Sequence, residues 1–354
     1  MLKKFSKLFV CPDCKENLKE IVFSKKIIIG FYCEKCGIIF PVKDGIPIIL
    51  AKEARNFNLE YPLIKIIKRK LSNNSFREIR RFAKRTLALL TSKKTLTWEW
   101  EDEQFWSRKY VKQMIARTQK NWNDRIWQRE ILVKELTDRF SLEGKTILSV
   151  GCGEGQNFRF LLKKYCDENS LHIATDISFE ALKLNRSFNT HKNSLYVLCS
   201  ADYELPFPDN TIDVLCYFGI LHHTKNKSDN IQKDKRLLRK SGYLILAEAV
   251  DRPTLSLTSW LMPKEETSAH EERVRKQSLF AQLTRKRGFE VVFVREEGTP
   301  FFTGMMKTLR NAMLCNKQLF LFVLNLDVLI AKTFGRIIPF FRAGEIILLA
   351  RRIN

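Results

Sequence analysis

The sequence predicts an α/β chain in which a seven-stranded, doubly wound sheet follows a small cysteine-bound ribbon and a helical region. Three observations predict it: a glycine turn joining an apolar strand to a helix within 146–165, strand-length and helix-length segments alternating from Lys145 onward, and two Cys-x-x-Cys pairs in the first fifty residues. Alternation of this kind argues for a parallel sheet with helices on both faces.

The ribbon comes first. Cys11 and Cys14 flank two residues, Cys33 and Cys36 do the same, and eighteen residues separate the pairs. That spacing lets four sulfurs converge on one tetrahedral ion, so Zn2+ is expected on Cys11, Cys14, Cys33 and Cys36. Four thiolates close the site to substrate, which makes the metal structural and a source of folding energy for residues 1–50. With the run from Gly37 to Leu50, this segment resembles the short zinc-ribbon family that activates tRNA and release-factor methyltransferases. The resemblance implies a docking or stabilising module. Cys152, Cys166, Cys199, Cys216 and Cys315 show no paired spacing and are expected to be buried thiols.

Residues 51–140 read as helices. The formal charge is +23, and residues 63–94 carry eleven Lys or Arg against Glu78 alone. Phe76, Ile79, Ala83, Leu87 and Leu90 share one helical face, with Arg77, Arg80, Arg81, Lys84 and Arg85 around the rest. Such a helix can dock on an enzyme with its basic face in water, lie on an anionic membrane surface, or bind nucleic acid. Trp98, Trp100, Trp106, Trp122 and Trp127 follow, and are expected to pack a helical cap onto the next domain.

The third region, 141–354, holds the sheet, with strands expected at 145–150, 171–175, 194–199, 211–217, 242–249, 289–295 and 345–351. Helices are expected near 156–165, 178–188, 229–239 and 270–287, and an apolar insertion fills 297–344. The first strand ends in Gly151, Gly153 and Gly155, three of only 14 glycines in the chain. Such a turn lets a ligand approach the backbone and points helix N-terminal amides at its polar groups. A dinucleotide fingerprint would need a glycine at 156, which is Gln156.

At this G-x-G-x-G turn the chain resembles the class I S-adenosylmethionine-dependent methyltransferases, whose sheet is Rossmann-like. Asp176 closes the second strand, 21 residues after Gly155, where a carboxylate faces the same cleft and can accept both hydroxyls of a ribose. The resemblance continues through Asp202-Tyr-Glu-Leu-Pro-Phe, through Phe218-Gly-Ile-Leu-His222-His223, much like the methyltransferase type 11 family, and through Leu237 to Leu246. It implies that Gly151, Gly153, Gly155, Asp176, Asp202 and Phe218 hold S-adenosylmethionine, with Asp202 at the adenine amino group. His222 and His223 lie where an acceptor would sit, and either is a candidate base. One departure stands out: the family usually has Asp or Glu where this chain has Ser149.

The acceptor is less legible. Neither an Asn/Asp-Pro-Pro-aromatic segment nor a Pro-Cys nucleophile is present, which disfavours the adenine N- and cytosine C5-specific chemistries. A greasy insertion beside a basic helix points to a small apolar or lipid-linked acceptor, methylated on oxygen or carbon, with peripheral contact to an anionic membrane. The charge supports a second expectation, rRNA base methylation; a third is a non-catalytic scaffold with a degenerate fold. Met1–Val10 lacks the apolar stretch of a signal peptide, and Leu319–Ile330 is broken by Asn325 and Asp327. A cytoplasmic protein is the resulting expectation.

Overall fold

A computed structural model describes residues 2–23, 27–71, 77–92, 123–251, 274–299, 302, 312–313, 315–335, 337–338 and 342–353. Phe76, Trp98, Trp100, Trp106, Trp122 and the start of the expected 270–287 helix lie outside them.

The ribbon is a four-stranded antiparallel sheet in sequential order: β1 (Lys19–Phe23), β2 (Ile27–Cys33), β3 (Ile38–Lys43) and β4 (Ile46–Pro47). Two helices cover it, α1 (Phe57–Lys70) and α2 (Arg77–Ser92). Asn56 caps α1 by accepting from Leu59 N. The apolar stripe of α2 faces inward: Ala83 and Leu90 are buried with Ile21, Ile39, Ile64 and Ile67, and Thr86 Oγ1 accepts from Ile39 N. The helix is therefore docked, but on the ribbon and α1 rather than on the seven-stranded sheet, and the cations of α2 surround a stripe already covered.

Helix α3 (Asn123–Thr137) leads into the main sheet. Its strands and helices are β5 (Thr146–Val150), β6 (Leu171–Asp176), α4 (Phe179–Phe188), β7 (Ser194–Leu198), β8 (Ile212–Phe218), α5 (Asp229–Asp234), β9 (Leu238–Ala249), α6 (Lys276–Gln282), β10 (Phe289–Glu297), α7 (Lys317–Thr333) and β11 (Glu345–Arg352). The spatial order is β10-β11-β9-β8-β5-β6-β7. Strands β5 to β9 pair in parallel, and β11 runs antiparallel between β9 and β10. All seven expected strands are present, and the last one is reversed.

Residue alternation covers both faces of this sheet. Leu148, Val150, Leu215, Tyr217, Leu244 and Leu246 join one buried cluster, while Ile147, Val214, Cys216, Ile245 and Ala247 join another with Leu132, Val133 and Leu136 of α3. The ribbon lies along the β7 edge. Ile49 N donates to Leu198 O at 2.9 Å, and Ile46, Ile48 and Leu50 are buried with Tyr196 and Leu198.

Four local expectations need correction. The segment expected as an α-helix at 156–165 is π-wound over Phe158–Leu162, with Lys163 N donating to Phe158 O, and 3-10 over Lys163–Tyr165. The helix expected at 229–239 stops by Leu237, because Leu238 pairs with Ile212. The described part of the 270–287 helix is broken after Gln282, with a 3-10 turn at Arg285–Arg287 before Gly288 at φ +83°. Of the five cysteines expected to be buried, Cys199 and Cys216 are, Cys152 and Cys166 are half-buried, and Cys315 is exposed.

Candidate active site and metal centre

The two Cys-x-x-Cys segments fold into matching knuckles. Lys15 at φ +66° donates its N–H to Cys11 O, and Gly37 at φ +64° donates to Cys33 O, each at 2.9 Å. The four Sγ atoms lie within 4.8 Å of one another, with Cys14 and Cys33 at 3.4 Å and Cys11 and Cys36 at 3.8 Å. Thiolates about 2.3 Å from a tetrahedral zinc have an edge of about 3.8 Å. The donor set and spacing therefore fit a structural Zn2+.

The second centre lies at the carboxyl ends of β5, β6, β8 and β9. Gly151, Gly153 and Gly155 take φ of +58°, +52° and +81°. A Cβ on Gly151 would come within 2.3 Å of Ile220 Cγ1, and one on Gly155 within 2.2 Å of Asn185 Oδ1. Glycine is thus required twice over, by backbone and by space. Asp176 is brought onto this turn: its Oδ2 accepts from Gly153 N and its Oδ1 from Ser178 N, both at 2.8 Å. Burial pushes its carboxyl up to about 6, against those donors and with Glu154 nearby adding to the rise.

Asp202, after β7, is also buried and accepts from Lys225 N at 2.8 Å and Asn226 N at 3.3 Å, so it ties down the loop after β8. Phe218, half-buried, closes β8 with the Arg129 guanidinium 5.3 Å from its ring. Ser149 does not stand in for a carboxylate. Its Oγ lies 3.1 Å from Nε2 of His172, whose imidazole burial pushes down to about 3 and keeps neutral. Phe158 stacks flat on that ring, centroids 3.5 Å apart.

His222 and His223 are both 9% exposed, with ring centroids 3.9 Å apart. Beneath them sits Glu248, which the sequence analysis did not single out. Its Oε1 accepts from Ile220 N at 2.7 Å and Leu221 N at 2.8 Å, and its Oε2 lies 2.8 Å from His222 Nδ1. A lone acid ending the apolar run Leu244-Ile-Leu-Ala-Glu248 was the available signal. With Nδ1 donating to this carboxylate, Nε2 is the basic nitrogen of His222. Arg129 and Asn157, hydrogen-bonded to each other, were likewise missed, since no motif marks them.

The insertion packs on α3 and β10. Phe320 of α7 meets Trp127 of α3 edge-on at 5.3 Å. Asp327, also on α7, is buried and accepts from Gly298 N at 2.7 Å and from Thr299 N and Oγ1. Pro300, Phe301 and residues 339–341 of the expected lid lie outside the described residues. No helix among the described residues is long and apolar enough to cross a membrane.

Residues 148–246 match a family model described as a methyltransferase domain. A 60-residue segment at the N-terminus, 17% of the chain, is 37% identical to a UPF0434 protein of Hahella chejuensis and covers 93% of it. An uncharacterised protein of Methanocaldococcus jannaschii is 30% identical over 131 residues, 37% of this chain and 45% of that one. The chain spans less than half the length of the first curated relatives it matches. Among solved structures, the cyclase SpnF is similar at 18% identity and a TM-score of 0.47, covering 73% of this chain and 97% of that one.

Proposed function

The chain belongs to the UPF0434 family through its N-terminal segment, and we propose that the whole is an S-adenosylmethionine-dependent methyltransferase. Its acceptor is a small apolar or lipid-linked molecule, methylated on oxygen or carbon. The layout proposed is a ribbon at 1–50, a basic helical region at 51–140 and a catalytic domain at 141–354. The observation that carries this is the pairing of Asp176 with Gly153 N on the turn of three left-handed glycines. It puts a buried carboxylate, acceptor for a vicinal diol, beside backbone that a ligand can approach closely.

Bound there, S-adenosylmethionine supplies an electrophilic methyl group on a sulfonium that leaves as a neutral thioether. Gly151, Gly153 and Gly155 leave room along the turn, Asp176 takes the ribose hydroxyls, and Asp202 and Phe218 flank the adenine side. Holding donor and acceptor in line contributes about 7–11 kcal/mol to such a displacement. For a hydroxyl acceptor, His222 Nε2 takes the proton as the oxygen gains the methyl group, and Glu248 steadies the imidazolium that results. His223, its ring tilted against that of His222, is the alternative base. Ser149, engaged with His172, leaves the cofactor's amino group without the usual acid at that position. The apolar side chains of the insertion, packed beside Trp127, favour an apolar acceptor.

Calorimetric titration of zinc-loaded protein with S-adenosylmethionine tests this. Wild type should bind, and Asp176→Ala should lose at least tenfold in affinity, since each hydrogen bond to a charged group contributes about 1.5–3 kcal/mol. A folded wild type that binds none would overturn the proposal in favour of a scaffold.

A further inference from the structure

Between α1 and α2 the surface opens into a cleft of about 510 Å3 lined by Lys65, Ile66, Lys68, Arg69 and Arg80. Lys65, Lys68, Arg69 and Lys70 form no ion pair with a described residue, so their positive charge is uncompensated there. Next to the cleft the β1–β2 hairpin adds an apolar edge. Phe23 and Ile27 are cross-strand partners, 39% and 58% exposed, and Lys70 Nζ lies 4.6 Å from the Phe23 ring centroid. Ile66, one turn before Lys70 on α1, is 42% exposed.

The clustered cations repel one another, and the apolar side chains beside them are exposed to water. One surface relieves both: phosphates for the ammonium and guanidinium groups, with hydrocarbon just below for Phe23, Ile27 and Ile66. RNA would meet the charge and stack a base on Phe23, but it would leave the aliphatic Ile27 and Ile66 in water. We propose that this patch, formed by the ribbon hairpin and α1–α2, docks the protein on an anionic phospholipid bilayer. The proposal goes beyond the methyl-transfer chemistry and does not depend on it, because the patch shares no residue with the cofactor cleft. It also differs from an inserted amphipathic α2, whose apolar stripe is buried.

The test is co-sedimentation of full-length, zinc-loaded protein with vesicles of phosphatidylcholine alone and of phosphatidylcholine and phosphatidylglycerol in equal parts. Binding to a single-stranded RNA oligonucleotide is measured alongside. The variants are Lys65→Glu/Arg69→Glu, the milder Lys65→Gln/Arg69→Gln, and Phe23→Ser/Ile27→Ser, with zinc content and circular dichroism confirming their folding. Wild type should bind the mixed vesicles and not the neutral ones. Each cation removed should weaken binding roughly fivefold, so the glutamine pair loses more than tenfold and the glutamate pair more. The serine pair should retain low-salt binding and lose the part that survives high salt. No binding to mixed vesicles, equal binding to neutral ones, or unchanged binding by the glutamate pair would overturn the proposal. So would charge-pair variants that lose RNA binding while still sedimenting with vesicles as wild type.

Discussion

Asp176 is under opposing influences that set a pH dependence. Burial favours its neutral form, whereas donors from Gly153 and Ser178 favour the carboxylate, as the hydroxyls of a ribose would in the proposed role. Its folded pKa, about 6, lies above the ordinary 3.8, so without ligand this group costs stability progressively as pH rises through that window. Ligand binding has the opposite sign: S-adenosylmethionine affinity should fall as pH drops below about 6, and Asp176→Asn should be weaker and flat with pH by calorimetry. A wild-type affinity constant from pH 5 to 7 would remove Asp176 from the ribose role. Glu248 is tested through a tautomer. In Glu248→Gln the side-chain oxygen can still accept from Ile220 and Leu221, but its NH2 faces His222 Nδ1 and forces the ring proton onto Nε2. Turnover on a hydroxyl acceptor should fall about 100-fold with cofactor affinity little changed, in line with the contribution of a general base. Equal turnover would exclude His222 as that base. Gly151→Ala would collide with Ile220, and Ile220→Ala should restore only part of the thermal stability because the positive φ remains strained. Much of this centre was legible because glycine turns and strand-ending acids leave local signatures. Glu248, Arg129 and Asn157 were not, because their partners are 26 to 28 residues away in sequence and nothing local marks the contact.

At the scale of elements, strands were more legible than helices. The parallel strands are buried on both faces and read as apolar runs, so their limits fell within one or two residues of those observed. Strand β9 is the exception: Leu238 pairs with Ile212 and Tyr243 with Val214, so 239–242 form a bulge that reads locally as a polar turn. The π-wound turn after Gly155 was invisible, since Phe158, Leu161, Leu162 and Tyr165 carry ordinary helical spacing. Helix α7 was visible as an apolar run, and Asp327 within it looked like an interruption. It is instead a tie: its carboxylate, pushed up by burial, holds the start of the insertion through Gly298 and Thr299. Asp327→Leu should strand the buried Thr299 donor, at about 1–3 kcal/mol, and the half-buried Gly298 N–H at less. Hydrogen exchange should then accelerate in α7 and around Gly298 while β5, β6 and β8 stay protected. Uniform acceleration throughout the sheet would show that the insertion is part of the core rather than tied onto it.

The whole molecule raises the question of how many cooperative units it contains, because sequence suggested a ribbon and a catalytic domain joined by helices. The contacts argue for fusion of the two. Phe9, Phe31 and Phe40 of the ribbon share one buried cluster with Leu195, Val197 and Phe207, and Ile48 and Leu50 share another with Phe179, Leu182 and Leu198. Val10 N donates to Pro206 O at 3.1 Å, Lys15 pairs with Glu204, and Ile49 N caps the outer edge of β7 at Leu198 O. An edge strand without such cover exposes its backbone groups and the apolar side chains beneath. The energy of zinc binding, which is folding energy for the ribbon, should therefore reach the parallel sheet. Calorimetry should show one unfolding transition for ribbon and sheet, and chelation or Cys33→Ser should lower its midpoint rather than split off a small early transition. A deleted ribbon should leave a sheet that aggregates through β7. Two separate transitions, with the upper one indifferent to chelator, would make the ribbon a passive appendage and its contacts with Leu198 and Phe207 too weak to couple the units.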